Sequence, residues 1–134
     1  MKTTVGAAAI LLAIWLLAGC AGAGTPTAIL STGVRGTVTA GPTCPVMSEP
    51  PDPACADKPV AGAVIIVTDA GGAQVGRVTT AANGTYAVGL LPGVYTLTPQ
   101  PANGLLGTAE SQMVQVEAGG GFVTVDFSYD TGIR

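Results

Sequence analysis

From position 34 onward, apolar and polar residues alternate in short runs separated by turn residues. The runs span 34–40, 63–69, 74–80, 85–89, 94–99, 113–117 and 122–130, and Val, Ile, Thr, Tyr and Phe dominate them. Alternation with period two and β-branched or aromatic residues predicts half-buried strands. The breaks are AGG at 70–72, AANG at 81–84, LLPG at 90–93 and AGGG at 118–121. Their glycines permit the positive φ that tight turns need. No stretch after residue 33 repeats apolar residues at helical spacing over helical length. The pattern predicts an all-β chain, an antiparallel β-sandwich of about seven strands.

Parity assigns the faces of these strands. Ala63, Ile65 and Val67 share one side of their strand, as do Val114 and Val116, and Val123, Val125 and Phe127. Tyr86, Val88, Tyr95 and Leu97 alternate with threonines and small residues. These sets predict two facing layers about 10 Å apart. Phe122 and Tyr129 are left as the rings expected to be exposed and able to face a ligand. A core this poor in aromatics is small, and a small core is marginal on its own.

The first nineteen residues follow a different pattern. Lys2 gives a positive start, and VGAAAILLAIWLLAG then runs apolar from 5 to 19. That run falls short of the roughly 20 residues a spanning helix needs and matches a secretory signal peptide, read as a helix. It ends in LAGC, residues 17–20, which resembles the bacterial lipobox, where cleavage precedes a cysteine whose sulfur receives a diacylglycerol. The resulting expectation is a signal peptide at 1–19, a tether at 20–32 lipidated on Cys20, and a sandwich domain at 33–134. It places the protein in a bacterial cell envelope, lipid-anchored to the membrane and exposed on its outer side. Ala21 is not the aspartate that, by the same resemblance, retains lipoproteins in an inner membrane.

With Cys20 assigned to lipid, Cys44 and Cys55 remain, in a segment rich in proline. Zinc needs four ligands, and the chain has no histidine. A redox pair needs Cys-x-x-Cys spacing, which is absent. An exported chain meets an oxidising environment, so a structural disulfide is expected. Closing a loop of about 12 residues stabilises a fold by about 3 kcal/mol in the chain-entropy account. Prolines at 42, 45, 50, 51, 53 and 59 keep this segment non-helical, giving a disulfide-closed loop over 41–59.

Charge and composition narrow the chemistry. The formal net charge is −3, with five Lys and Arg, one of them Lys2 in the leader. Nucleic acid is a poor partner, because it is bound through clustered cations. Without histidine or a paired set of carboxylates, acid–base and nucleophilic catalysis lack candidates, so no enzyme and no cofactor is expected. Asp130-Thr131-Gly132 is an aspartic-protease triplet, but two residues after it cannot build the rest of such a site. AGGG before Phe122 lacks the helix and the Lys-Ser/Thr of a phosphate loop. Asn83-Gly84-Thr85 fits a sequon, yet the asparagine already suits a turn. Asp69 beside Gly71 and Gly72 is one carboxylate where calcium needs six or more oxygens, so no metal site is assigned.

The run from VRGTVTA through KPVAGAVIIVTD to NGTYAVGLLPGVYTLT resembles the carboxypeptidase-regulatory-like domains and the prealbumin-like repeats of bacterial surface adhesins. Gly36, the PVAGA segment, Thr80 to Tyr86 and Leu91 to Tyr95 carry the resemblance, which covers roughly 33–128. It implies a prealbumin-like or Ig-like sandwich and is silent on activity. The related hydroxyisourate hydrolases use histidines and a Tyr-Arg-Gly-Ser ending, both absent, so that activity does not carry over. Two function classes follow. One is a non-catalytic, lipid-anchored envelope module with a structural or protein-binding role, its partner an envelope protein. The other is a carbohydrate-binding module, as in the wider starch-binding-like superfamily, with a glycan as partner. Exposed rings would favour the second, and the mature chain offers few.

Overall fold

A computed structural model describes residues 30–46 and 48–134. The expected signal peptide, most of the expected tether and Cys20 lie outside the described residues. Two sheets face each other, as the alternation predicts. The strands are β1 (Gly33–Gly41), β2 (Lys58–Pro59), β3 (Val64–Asp69), β4 (Gln74–Thr79), β5 (Thr85–Gly89), β6 (Gly93–Pro99), β7 (Gln112–Val116), β8 (Phe122–Thr124) and β9 (Phe127–Asp130). One sheet is antiparallel in the order β4-β3-β6-β7. The other is built around β1, with β5 and β2 antiparallel along one side and β8 and β9 parallel along the other.

Nine strands replace the expected seven for two reasons. Lys58 and Pro59 pair with Ala40 and Thr39, so the returning end of the cysteine loop forms a short strand. The run 122–130 breaks at Val125 and Asp126 into β8 and β9. Both pieces pair parallel with β1, which departs from an antiparallel sheet throughout. Parallel neighbours need a long connection, and the whole of β2 to β7 supplies it.

The predicted inward sets supply much of the core, with Val88 and Val123 only partly buried, and β1 adds Val34 and Val38. Val34, Val38, Ile65, Val67, Leu97, Val114, Val116 and Phe127 are buried between the sheets. Gly36 is required where the chain breaks on β1's other side: a Cβ there would lie 1.8 Å from the Val125 carbonyl oxygen. On that side the break leaves Thr37 without a ladder partner, and Asp126 Oδ1 takes its place, accepting from the Thr37 N–H at 2.7 Å and its hydroxyl at 2.9 Å. Thr80 fixes the turn before β3, donating from Oγ1 to the Val60 carbonyl at 2.6 Å and accepting from the Ala63 N–H at 2.9 Å. Gly84, at φ 76°, closes the turn before β5, with Asn83 Oδ1 accepting from the Thr85 N–H.

One expected exposure is corrected. Tyr129 is 1% exposed, not an open ring. It follows Phe127 by two residues, and β9 continues to Asp130, so both point into the core. Phe122 is half-buried. The pair of open rings expected of a sugar platform is absent.

Candidate functional site

The two ends of β1 define the geometry. At its start, the Thr32 hydroxyl donates to the Leu90 carbonyl at 2.7 Å, the Leu90 N–H to Thr32 at 3.0 Å, and the Gly33 N–H to Gly121 at 3.3 Å. The β5–β6 and β7–β8 turns therefore hold the point where the chain arrives from residue 30. At its other end, nine residues on, β1 opens into the cysteine loop. A strand of that length sets the two ends about 26 Å apart.

The loop is built as a stapled excursion. Cys44 and Cys55 are disulfide-bonded, with Cα atoms 5.2 Å apart, inside the range a disulfide requires. The Thr43 hydroxyl donates to the Ala56 carbonyl at 3.2 Å, so the bond and the β1–β2 pair close the neck together. Within it, Asp52 Oδ1 accepts from the Ala54 N–H at 2.8 Å and caps a single 3-10 turn, Pro53–Cys55. The loop's base is braced by the chain end: the Thr131 N–H donates to the Gly41 carbonyl at 3.1 Å, and the Thr131 hydroxyl to that of Pro42. Val46 stands 77% exposed on the loop, among prolines and with Glu49, Asp52 and Asp57 on the same segment.

A second feature lies on the outer face of β1's sheet. An open groove of about 740 Å³ runs across β5, β1 and β8 and is bordered by β4 of the other sheet, lined by Arg35, Thr37, Val78, Thr85, Thr124 and Asp126 among others. Sequence reading missed it, although parity held its signal. Arg35 and Thr37 are the outward partners of Val34 and Val38, and Thr124 and Asp126 those of Val123 and Val125. The groove offers hydroxyls, a guanidinium and a carboxylate oxygen, and lacks an exposed ring. Beneath it, the Tyr86 hydroxyl donates to the Val125 carbonyl at 2.6 Å. Burial, with the nearby Asp126 charge, pushes the Tyr86 hydroxyl's pKa well above its ordinary value, so it stays protonated and acts as a fixed donor.

The other singled-out residues have structural roles. Asp69 Oδ1 accepts from the Gly71 and Ala73 N–H groups, both at 2.9 Å, and so shapes the β3–β4 turn. Asp130 pairs with Arg134 at 2.6 Å and accepts from the Gly132 N–H at 2.7 Å. The Arg134 hydrogen bond, then the Gly132 N–H, hold its carboxyl at about 2, so it stays ionised at neutral pH. A protease dyad instead shares a proton between two carboxylates. The glycines at 119–121 belong to a turn in which the Gly120 N–H donates to Glu117. Among the described residues, no three of His, Cys, Asp and Glu are grouped to hold a metal.

A sequence model of the carboxypeptidase regulatory-like domain matches residues 52–129, from within the stapled loop to β9. The chain belongs to that family. Solved structures share the fold. The Bacillus anthracis TIE protein matches 72% of this chain at 19% identity and a TM-score of 0.54. GBS52, the minor pilin of the Gram-positive pathogen Streptococcus agalactiae, matches 75% at 19% identity and 0.55. This chain spans 17% of the first and 45% of the second. At that identity the likeness is one of fold. No curated protein matches the chain.

Proposed function

We propose that the protein is a non-catalytic, lipid-anchored module of a bacterial cell envelope, and that the stapled loop is its protein-binding surface. The observation that carries this reading is the polarity of β1. The tether enters at one end of that strand, and the closed loop leaves from the other. A lipid on Cys20 would therefore hold the loop at the far side of the domain from the membrane. A loop fixed by a disulfide, a two-residue ladder and the chain end loses little entropy on binding. Exposed segments on a rigid scaffold are where recognition concentrates. The fold's likeness to a minor pilin agrees with a structural or binding role. The carbohydrate reading has less support, because Tyr129, one of its two rings, is buried.

Labelled fatty acid tests the anchor. The wild-type protein is expected to incorporate it, and a Cys20→Ser variant to incorporate none and keep its signal peptide. A wild-type protein that gains no lipid would overturn the anchored reading. Affinity capture of the processed protein from its own envelope, read by mass spectrometry, then identifies the partner.

A further inference from the structure

Unpaired strand edges invite pairing with other chains, and sandwiches blunt them with charge, proline, bulges, shortness or a cover. The edges here are blunted unequally. β4 carries Arg77, and its register shifts opposite Val67 and Thr68. β2 is two residues long and consists of a lysine and a proline. β5 lies against β4, with Val88 beside Gly76. β8 and β9 are short, and the Leu106 N–H donates to the Asp130 carbonyl at 2.8 Å, covering the end of β9.

β7, five residues long, has one partial device, the neighbouring β8, which lies beside it as β4 lies beside β5. Gln112–Val116 holds no charge, proline, glycine or bulge. Among the described residues, its edge away from β6 receives no backbone hydrogen bond. Its tie to the β8–β9 break is a side-chain bond, from Gln112 Nε2 to the Asp126 carbonyl at 2.8 Å. Met113, at the second position, is 76% exposed.

We infer that the outer edge of β7 pairs with the β7 of a second copy of this chain, antiparallel across a two-fold axis, joining two four-stranded sheets into one. A two-fold axis normal to the sheet keeps each face on its own side, so paired residues share parity. Every register centred on a residue of Gln112–Val116 satisfies this: the one centred on Met113 sets the two exposed methionines side by side, and the one centred on Val114 pairs the whole strand. In the first, Glu110 faces Val116 and Glu117 faces Ala109. In the second, Glu110 faces Ala118 and Glu117 faces Ser111. Neither register opposes two carboxylates, whereas a parallel copy in register would set Glu110 on Glu110 and Glu117 on Glu117. A charged foreign segment finds no complementary charge on 111–116, and an identical edge needs none, since its own N–H and C=O groups complete the ladder.

This inference does not depend on the lipid anchor or the stapled loop. It is tested with the full chain expressed in its own cells, carrying Met113→Cys, Gln115→Cys or, as a control on the other edge of the same sheet, Arg77→Cys. Mild oxidation and a non-reducing gel read the dimer. The expected result is a strong dimer band from Met113→Cys alone, for the register centred on Met113. For the register centred on Val114, the band comes instead from co-expressed Met113→Cys and Gln115→Cys. If neither arrangement exceeds the collisional yield of Arg77→Cys, with all variants retaining the wild-type β spectrum, β7 does not pair and the inference is overturned.

Discussion

Each of the three tyrosine hydroxyls donates to a backbone carbonyl: Tyr86 to Val125, Tyr95 to Leu91 at 2.8 Å, and Tyr129 to Gln100 at 2.5 Å. A phenol buries a large apolar body while its hydroxyl satisfies an acceptor that would otherwise lose water. In a core with few rings, these three bonds tie loops and a strand break to the sheets. On the surface, Asp130 gives a measurable residue-scale consequence. Its folded value of about 2 lies below the ordinary 3.8, so its contribution to stability is complete above about pH 4 and fades as pH falls toward 2. NMR titration should place the Asp130 midpoint near 2 and, in Arg134→Ala, move it up toward the ordinary carboxylate range. An unmoved midpoint would mean that the Arg134 contact does not hold the charge.

At the scale of elements, the stapled loop stands outside the alternating core. The disulfide limits the unfolded chain more than it shapes the folded one. A Cys44→Ser/Cys55→Ser variant should therefore keep its β spectrum while losing about 2–4 kcal/mol of unfolding free energy in urea titration. Loss of the β signal would instead make the bond part of the fold's foundation. The disulfide was legible because elimination left two cysteines with one use. The strand breaks were less legible. Alternation through Val123, Val125, Phe127 and Tyr129 is unbroken in the sequence, and nothing local reveals that the backbone crosses over Gly36 at Val125. The same alternation already placed Tyr129 inward with Phe127. The expectation of an exposed ring was wrong because β9 runs on to Asp130 against its partner β1. Parallel pairing of β1 with β8 and β9 joins segments some ninety residues apart, a contact that periodicity cannot register. The groove needs the same long-range pairing to bring Arg35 and Thr37 beside Thr124 and Asp126.

At the scale of the whole molecule, the proposed function rests on polarity: the end where the chain enters β1, the end where the stapled loop leaves it, and a rigid strand between them. The family and fold were legible in turn and strand motifs such as Gly36, Thr80 and Asn83-Gly84, because those residues meet backbone needs that local sequence can show. The partner is not legible by that route, since recognition depends on which exposed groups sit together. The competing account of the loop is that its staple merely protects an insertion from proteolysis. The two accounts part on one measurement. The processed protein and a variant with residues 45–54 replaced by a neutral linker, both cysteines retained, are used to capture partners from the native envelope. Binding through the loop predicts that the wild type's specific partner is lost from the variant while both proteins stay equally folded and equally abundant. Unchanged capture by the variant would contradict the account and leave the loop a protective role.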